Sequence, residues 1–343
     1  MTSTGKRATA IGGGIAVLAA GAFFVLSNRS PLEAVTDAFS APKCPLTGLE
    51  PRDESLIDRP AVAIKVENNP AAYPLSGLDK AEIVYEEEVE GGLTRFMALY
   101  HCTDTGKAGP VRSARAVDPA IMSPYTRILG AAGGNAAVRD ILESAGVILI
   151  DEPGAGEAMT RVDREGYTSE HTLYASSSRL RKLGRKEFDD PPAEVFRFGD
   201  LEGSSRKART ITITFSPSSI VTYEWRDGAW QRSDQGAPLV SEDGTQIEAD
   251  NVLIEEHTIN YSDIGDVVGA RSTEIADETG SGRAVLFRDG RAIPGRWSRD
   301  SLADPVHFET KAGDEMVLAP GSTWVELVPD DKGEVKGSFS YER

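Results

Sequence analysis

Residues 82–101 read EIVYEEEVEGGLTRFMALYH, two runs of strand-forming residues, Glu82 to Glu86 and Phe96 to His101, set around the paired glycines Gly91-Gly92. β-branched and aromatic side chains suit a pleated, half-buried surface, and glycine allows the backbone of a turn. Outward from this stretch, Ala61 to Val66 and Val147 to Ile150 are further strand candidates, while helical periodicity fits Asp118 to Leu129, Ala136 to Ala145 and Ser176 to Lys182. This alternation from Arg59 to about Leu183 indicates a mixed α/β domain over residues 54–200.

Asp189-Asp190-Pro191-Pro192 and Gly203-Ser204-Ser205 are punctuation expected at a domain boundary. Beyond Arg209 the texture becomes short β-rich runs: Thr210 to Phe215, Ile220 to Trp225, Val252 to Thr258, Ala284 to Phe287, His307 to Glu309 and Thr323 to Val328. Arg226-Asp227-Gly228-Ala229 and Arg288-Asp289-Gly290-Arg291 put Asp-Gly where a hairpin needs positive φ. Residues 206–343 therefore read as a mainly antiparallel β domain, and the chain as α+β.

At the other end, Lys6 and Arg7 close a short tail (1–7) before an uncharged run, 8–27, with Ile11, Val17, Leu18, Phe23, Phe24, Val25 and Leu26. About 20 apolar residues at 1.5 Å rise match the roughly 30 Å hydrocarbon core, longer than the apolar part of a cleaved signal. The expectation is a single-pass anchor or uncleaved signal, with the basic tail in the cytoplasm and the bulk of the chain outside. Proline-rich residues 28–53 read as a linker. The two cysteines, Cys44 and Cys102, either pair in that oxidising compartment or stay as thiols. A net charge of −17 and a pI near 4.8 argue against nucleic acid.

The densest chemical signal runs from Ile83 to Arg115. Gly91 and Gly92 can bring backbone amides close to a ligand, and Arg95, Arg112 and Arg115, with Ser113 between the last two, can grip a carboxylate or phosphate. Mutual pairing with Glu86 or Glu90 explains the same residues. Gly133-Gly134-Asn135 precedes a helical stretch and reads either as an anion-favouring helix N-terminus or as a loop with an Asn cap. His171 is a candidate base or ligand donor, or a structural histidine. Asp151-Glu152 and Asp163 read as acid–base or cation-binding carboxylates, or as solvated loop charges. No G-x-S-x-G, HExxH or Walker loop occurs, no metal-ligand spacing is seen, and nothing names a cofactor.

At these motifs the sequence resembles the YerB-like lipoproteins built from the two halves of domain of unknown function 3048. The first half's signatures match Asn69-Pro70, Ser76-Gly77-Leu78, Ala81 to Glu86, Glu90 to Arg95, Gly109 to Arg115, Gly133-Gly134-Asn135 and His171 to Tyr174. The second half's match Asn251 to Ile254, Gly282 to Gly290, Gly295-Arg296-Trp297 and Pro320 to Trp324. Asn135 stands where the family usually has Ser, Thr172 where it has Asn, and Pro42-Lys43 before Cys44 is not a lipobox. The resemblance implies that Glu86, Glu90, Arg95, Arg112, Arg115 and His171 form one site, and it implies no reaction. Two functions follow as expectations: a surface protein binding a cell-wall polymer or an envelope protein, or a hydrolase or transferase on an envelope glycan or phosphodiester. In the second, Glu86 or Glu90 is acid or base and His171 a proton shuttle.

Overall fold

The computed structural model describes residues 41–265, 270–302 and 304–343, and the expected tail and anchor at 1–27 lie outside them. Among the described residues no helix is long and apolar enough to cross a membrane. Lys43–Arg343 forms one compact unit.

Its first strands are β1 (Val62–Asn68), β2 (Ile83–Glu88), β3 (Thr94–Tyr100), β4 (Ile128–Gly130) and β5 (Ile148–Ile150). β2 and β3 form an antiparallel hairpin in which Gly91 and Gly92 both take positive φ, 72° and 71°. β3 continues antiparallel to β1, and β1, β4 and β5 run parallel. On its other side β2 pairs in parallel with Thr323–Pro329, which pairs in parallel with Asn251–His257; Gly280–Arg288, Arg291–Arg299 and His307–Thr310 then extend the sheet antiparallel. One sheet thus runs through both halves of the sequence.

Both faces of this sheet are covered, so its central strands are apolar throughout rather than alternating. On one face Val84, Phe96, Val252, Phe287 and Trp324 pack against Ile211, Phe215, Tyr223 and Trp230 of a second sheet. That sheet is built mainly from Thr210–Ser216, Ser219–Arg226, Ala229–Asp234 and Ser338–Glu342. On the other face Met97, Leu99, Leu253 and Val325 pack against residues of the helices Asp118–Met122 and Ala136–Ser144.

Three expectations are corrected. The unit is mostly β with a few short helices, and its second half contributes parallel pairs as well as antiparallel ones. The helix expected over 118–129 stops at Met122; Ser123-Pro124 follows, and Ile128–Gly130 is a strand buried inside the sheet. The proline-rich segment is not a linker throughout: Cys44 and Leu46 are buried, and the Thr47 carbonyl accepts from the Gly321 amide at 2.8 Å. Cys44 is bonded to Cys102 just beyond β3.

Candidate functional site

Strand alternation sorts the acidic run 86–88 onto two faces. Glu87 lies opposite Arg95 of β3, which lies opposite Glu67 of β1, so a row of three charges crosses the helix-covered face. Buried Lys65 bonds Glu87 and, at 2.7 Å, Asp118 Oδ1, while Asp118 Oδ2 accepts from the Arg115 amide at 2.7 Å. This hidden layer fixes the segment 112–118 over the sheet.

Above it the three arginines converge. Arg115 Nη2 is 2.5 Å from Glu90 Oε2, and Arg95 Nη1 is 3.9 Å from the same oxygen and 3.4 Å from the Ser113 carbonyl. Arg112 Nε is 3.5 Å from Glu67 Oε1, and its Nη1 lies 3.4 Å from the Glu170 carbonyl. Glu67 Oε2 meets His171 Nδ1 at 2.7 Å, so one carboxylate links Arg112 to the histidine. Burial lowers the proton affinity of Arg95 and the neighbouring Arg115 lowers it further, to about 10, so it stays charged at neutral pH. Burial opposes ionisation of Glu90, but the Arg115 hydrogen bond and charge hold its carboxyl below the usual range. Ser272 donates to Glu90 and Thr273 to the Glu88 carbonyl, so the hairpin Ile259–Gly265/Arg271–Ile275 of the second half borders the arginine cluster.

The Gly133 carbonyl accepts from the Ala114 amide at 2.8 Å, which brings that loop alongside Ser113. Asn135 caps its helix by accepting from Val138 N at 2.9 Å and donates to the Gly265 carbonyl at 2.7 Å, so its side chain is committed to the fold. At the Gly91-Gly92 turn the Gly92 carbonyl accepts from Ser216 Oγ at 2.6 Å. Asp151 and Glu152 are held in separate ion pairs at 2.6 Å with Arg139 and Arg161.

Glu86 departs from the expected cluster. It faces the second sheet, fully buried, with its carboxylate 2.8 Å from Arg232 Nη2 and its Cα in register with Glu326. Arg232 also reaches Asp234 at 3.0 Å and Glu326 at 3.3 Å, and its guanidinium lies over Phe96, Tyr223 and Trp324. Burial pushes Glu86 up to about 8 despite Arg232, and Glu326 adds to the rise. Two adjacent carboxylates in low dielectric cannot both be comfortably ionised. This buried group joins the two sheets, away from the arginines. Glu67, Glu87, Lys65 and Ser272 carry no motif in the sequence; only the period-2 spacing of Lys65 and Glu67 along a strand could have nominated two of them.

Among the described residues, Glu82, His101 and Cys102 bring three ligand types within 4.8 Å. The sulfur is in the disulfide, and Glu82 Oε1 already accepts from the amides of His101 and Thr103.

The chain's residues 46–189 match the N-terminal domain, and 211–325 the C-terminal domain, of the protein of unknown function DUF3048. The chain belongs to the DUF3048 family. The DUF3048 halves meet at the shared sheet, and the arginine cluster with Glu90 is joined by Ser272 of the second half. Over 326 residues, 90% of this chain and 92% of the relative, it is 29% identical to "Putative lipoprotein YerB" of Bacillus subtilis. The crystal structure of the Bacillus subtilis YerB protein superposes with a TM-score of 0.71 at 25% identity, covering 87% of this chain and 99% of that one.

Proposed function

We propose that this DUF3048 chain is an envelope protein, tethered to the membrane by residues 8–27, that binds an anionic group of wall material or of an envelope partner in the Arg95/Arg112/Arg115 cleft. The name of the Bacillus relative, a lipoprotein, favours the membrane-attached surface location. In this chain Cys44 is bonded to Cys102, so its sulfur is not free to carry a lipid, and the apolar run is the remaining tether.

One observation carries the binding reading. Among the described residues the guanidiniums of Arg95 and Arg112 make no polar contact shorter than 3.4 Å. Each guanidinium has five N–H donors, and well-made bonds to carboxylate or phosphate are about 2.7–2.9 Å. Two cations held this loosely beside a third leave donors for an external carboxylate or phosphate. The test is sedimentation of the full chain with purified wall carrying its attached polymers. Arg112→Ala is expected to weaken binding about tenfold or more, because one charge-assisted bidentate pair is lost. Equal sedimentation of the two forms would remove the arginines from the reading.

A second reading rests on the Glu67–His171 pair, in which a carboxylate fixes the imidazole beside Arg112 as an acid–base group would require. It predicts new masses released from wall material by the chain and not by His171→Ala. Release by neither leaves binding alone.

A further inference from the structure

The two Arg-Asp-Gly turns that stand out in the sequence, 226–228 and 288–290, are about sixty residues apart along the chain and lie in different sheets, yet they line one groove. The ladder between Arg291 and Lys207 and the bond from the Ala208 amide to the Gly290 carbonyl, 2.9 Å, bring one turn beside the strand entering the second sheet. The Trp225 amide donates to the Arg209 carbonyl at 2.8 Å and brings the other. Gly290, at φ 64°, lies flat on the Trp225 indole; a Cβ there would sit 2.7 Å from the ring, so the close approach of the turns requires glycine.

The groove is open, about 990 Å³ counted out to solvent, with half-buried Trp225 among its walls. Its rim carries Lys207, Arg209, Arg226, Arg291 and Arg343 together with Asp227 and Asp289. Arg226 pairs with Glu224 and Asp289 with Arg288, which leaves Asp227 as the unpaired rim carboxylate. Among the described residues Lys207 and Arg209 are exposed and in no carboxylate pair, and the Arg291 side chain contacts only the Ser205 hydroxyl, at 3.3 Å. In a chain of net charge −17 such a concentration of free cations is a local reversal of the protein's field, and clefts lined by one sign focus ligands of the other. Concavity decides the geometry of the ligand: a groove between two turns admits a strand of polymer, whereas a bilayer surface would meet only its rim.

We propose that this groove is a second binding site, independent of the arginine cleft, for a linear polyanion whose repeating phosphates or carboxylates meet Lys207, Arg209 and Arg291 while an apolar face of its backbone lies on Trp225. The test is titration of the full chain in neutral detergent with an oligomer of glycerol phosphate and, separately, of polygalacturonate, over a range of salt. Binding of either oligomer is expected, its logarithm falling with log salt by about 0.7 per anionic group contacted, as for single strands. The charge reversal Lys207→Glu/Arg209→Glu/Arg291→Glu should lower affinity at least tenfold and flatten that slope by about 2, with unchanged circular dichroism because all three side chains lie at the groove surface. Arg112→Ala should leave this binding intact, which separates it from the cleft. Four results overturn the proposal: no binding of either oligomer, binding unaffected by the triple reversal, loss of it in Arg112→Ala, or equal competition by monomeric glycerol 3-phosphate at the same phosphate concentration.

Discussion

Glu88 shows what a single side chain can reveal about solution behaviour. It ends β2 on the face that Glu86 also occupies, its Oε2 is buried without a partner, and burial alone pushes its carboxyl up to about 7. A folded-state value above the ordinary carboxylate value means that the folded chain binds the proton more tightly. The contribution of Glu88 to stability is then fully present below about pH 4.5 and is lost as pH rises through 7. Glu88→Gln keeps the shape and removes the ionisation, so it should match the unmodified chain at about pH 4 and be more stable at about pH 8. The gain should be about 1–2 kcal/mol after allowing for partial solvent screening. Denaturant melts at the two pH values check this; equal stability at pH 8 would mean that Glu88 ionises freely in the fold. Residue chemistry of this kind is not legible in a sequence, because Glu86, Glu87 and Glu88 are identical letters and only the pleat decides which face each one joins. The arginines were legible since their motif is local; Glu67, their partner, was hidden because it arrives from β1.

At the level of elements, the clearest device is the tie between the segment before β1 and the end of β3. Cys44 and Cys102 close a loop with a sequence separation of 58. Loop-closure entropy gives a disulfide of this span roughly 4 kcal/mol as an upper figure, and typical measured values are about 2–4 kcal/mol. Cys44→Ser/Cys102→Ser should therefore lower unfolding stability by about 2–4 kcal/mol and release residues 44–49, read as faster proteolysis there. A variant with unaltered stability would show that burial of Leu46 and the Thr47–Gly321 bond suffice. The strands were mostly visible in advance because their apolar runs are short and bounded by turn residues. The helix expected over 118–129 was real only as far as Met122, because Ile128 and Leu129 continue a helical spacing while Ser123-Pro124 intervenes and the sheet recruits 128–130. The short strand Ala229–Asp234, which carries Arg232 into the core, lacked an apolar run and gave no signal.

For the whole molecule, the decisive feature is the position of Thr323–Pro329. It pairs in parallel with β2 for Ile83↔Thr323 to Glu86↔Glu326 and with Asn251–His257 along its full length. Sequence texture divides this chain near residue 200 because helices cluster before it and hairpins after it; register between distant strands leaves no mark on either. The two halves should accordingly be poor proteins apart. Residues 43–205 and 206–343 expressed separately are expected to aggregate, since the first leaves a β2 edge and Glu86 uncovered, and their co-expression is expected to restore a soluble complex. Two soluble, folded and non-associating fragments would contradict this. There is also a consequence in time. Residue 323 is made long after β2, so in the interval the nascent chain holds a bare β2 edge, joined after residue 257 by that of Asn251–His257, and the strand that pairs with both is still to come. Any factor that shields extended chain during that interval, or any pore that passes it unfolded, acts on an edge that the protein itself covers only later.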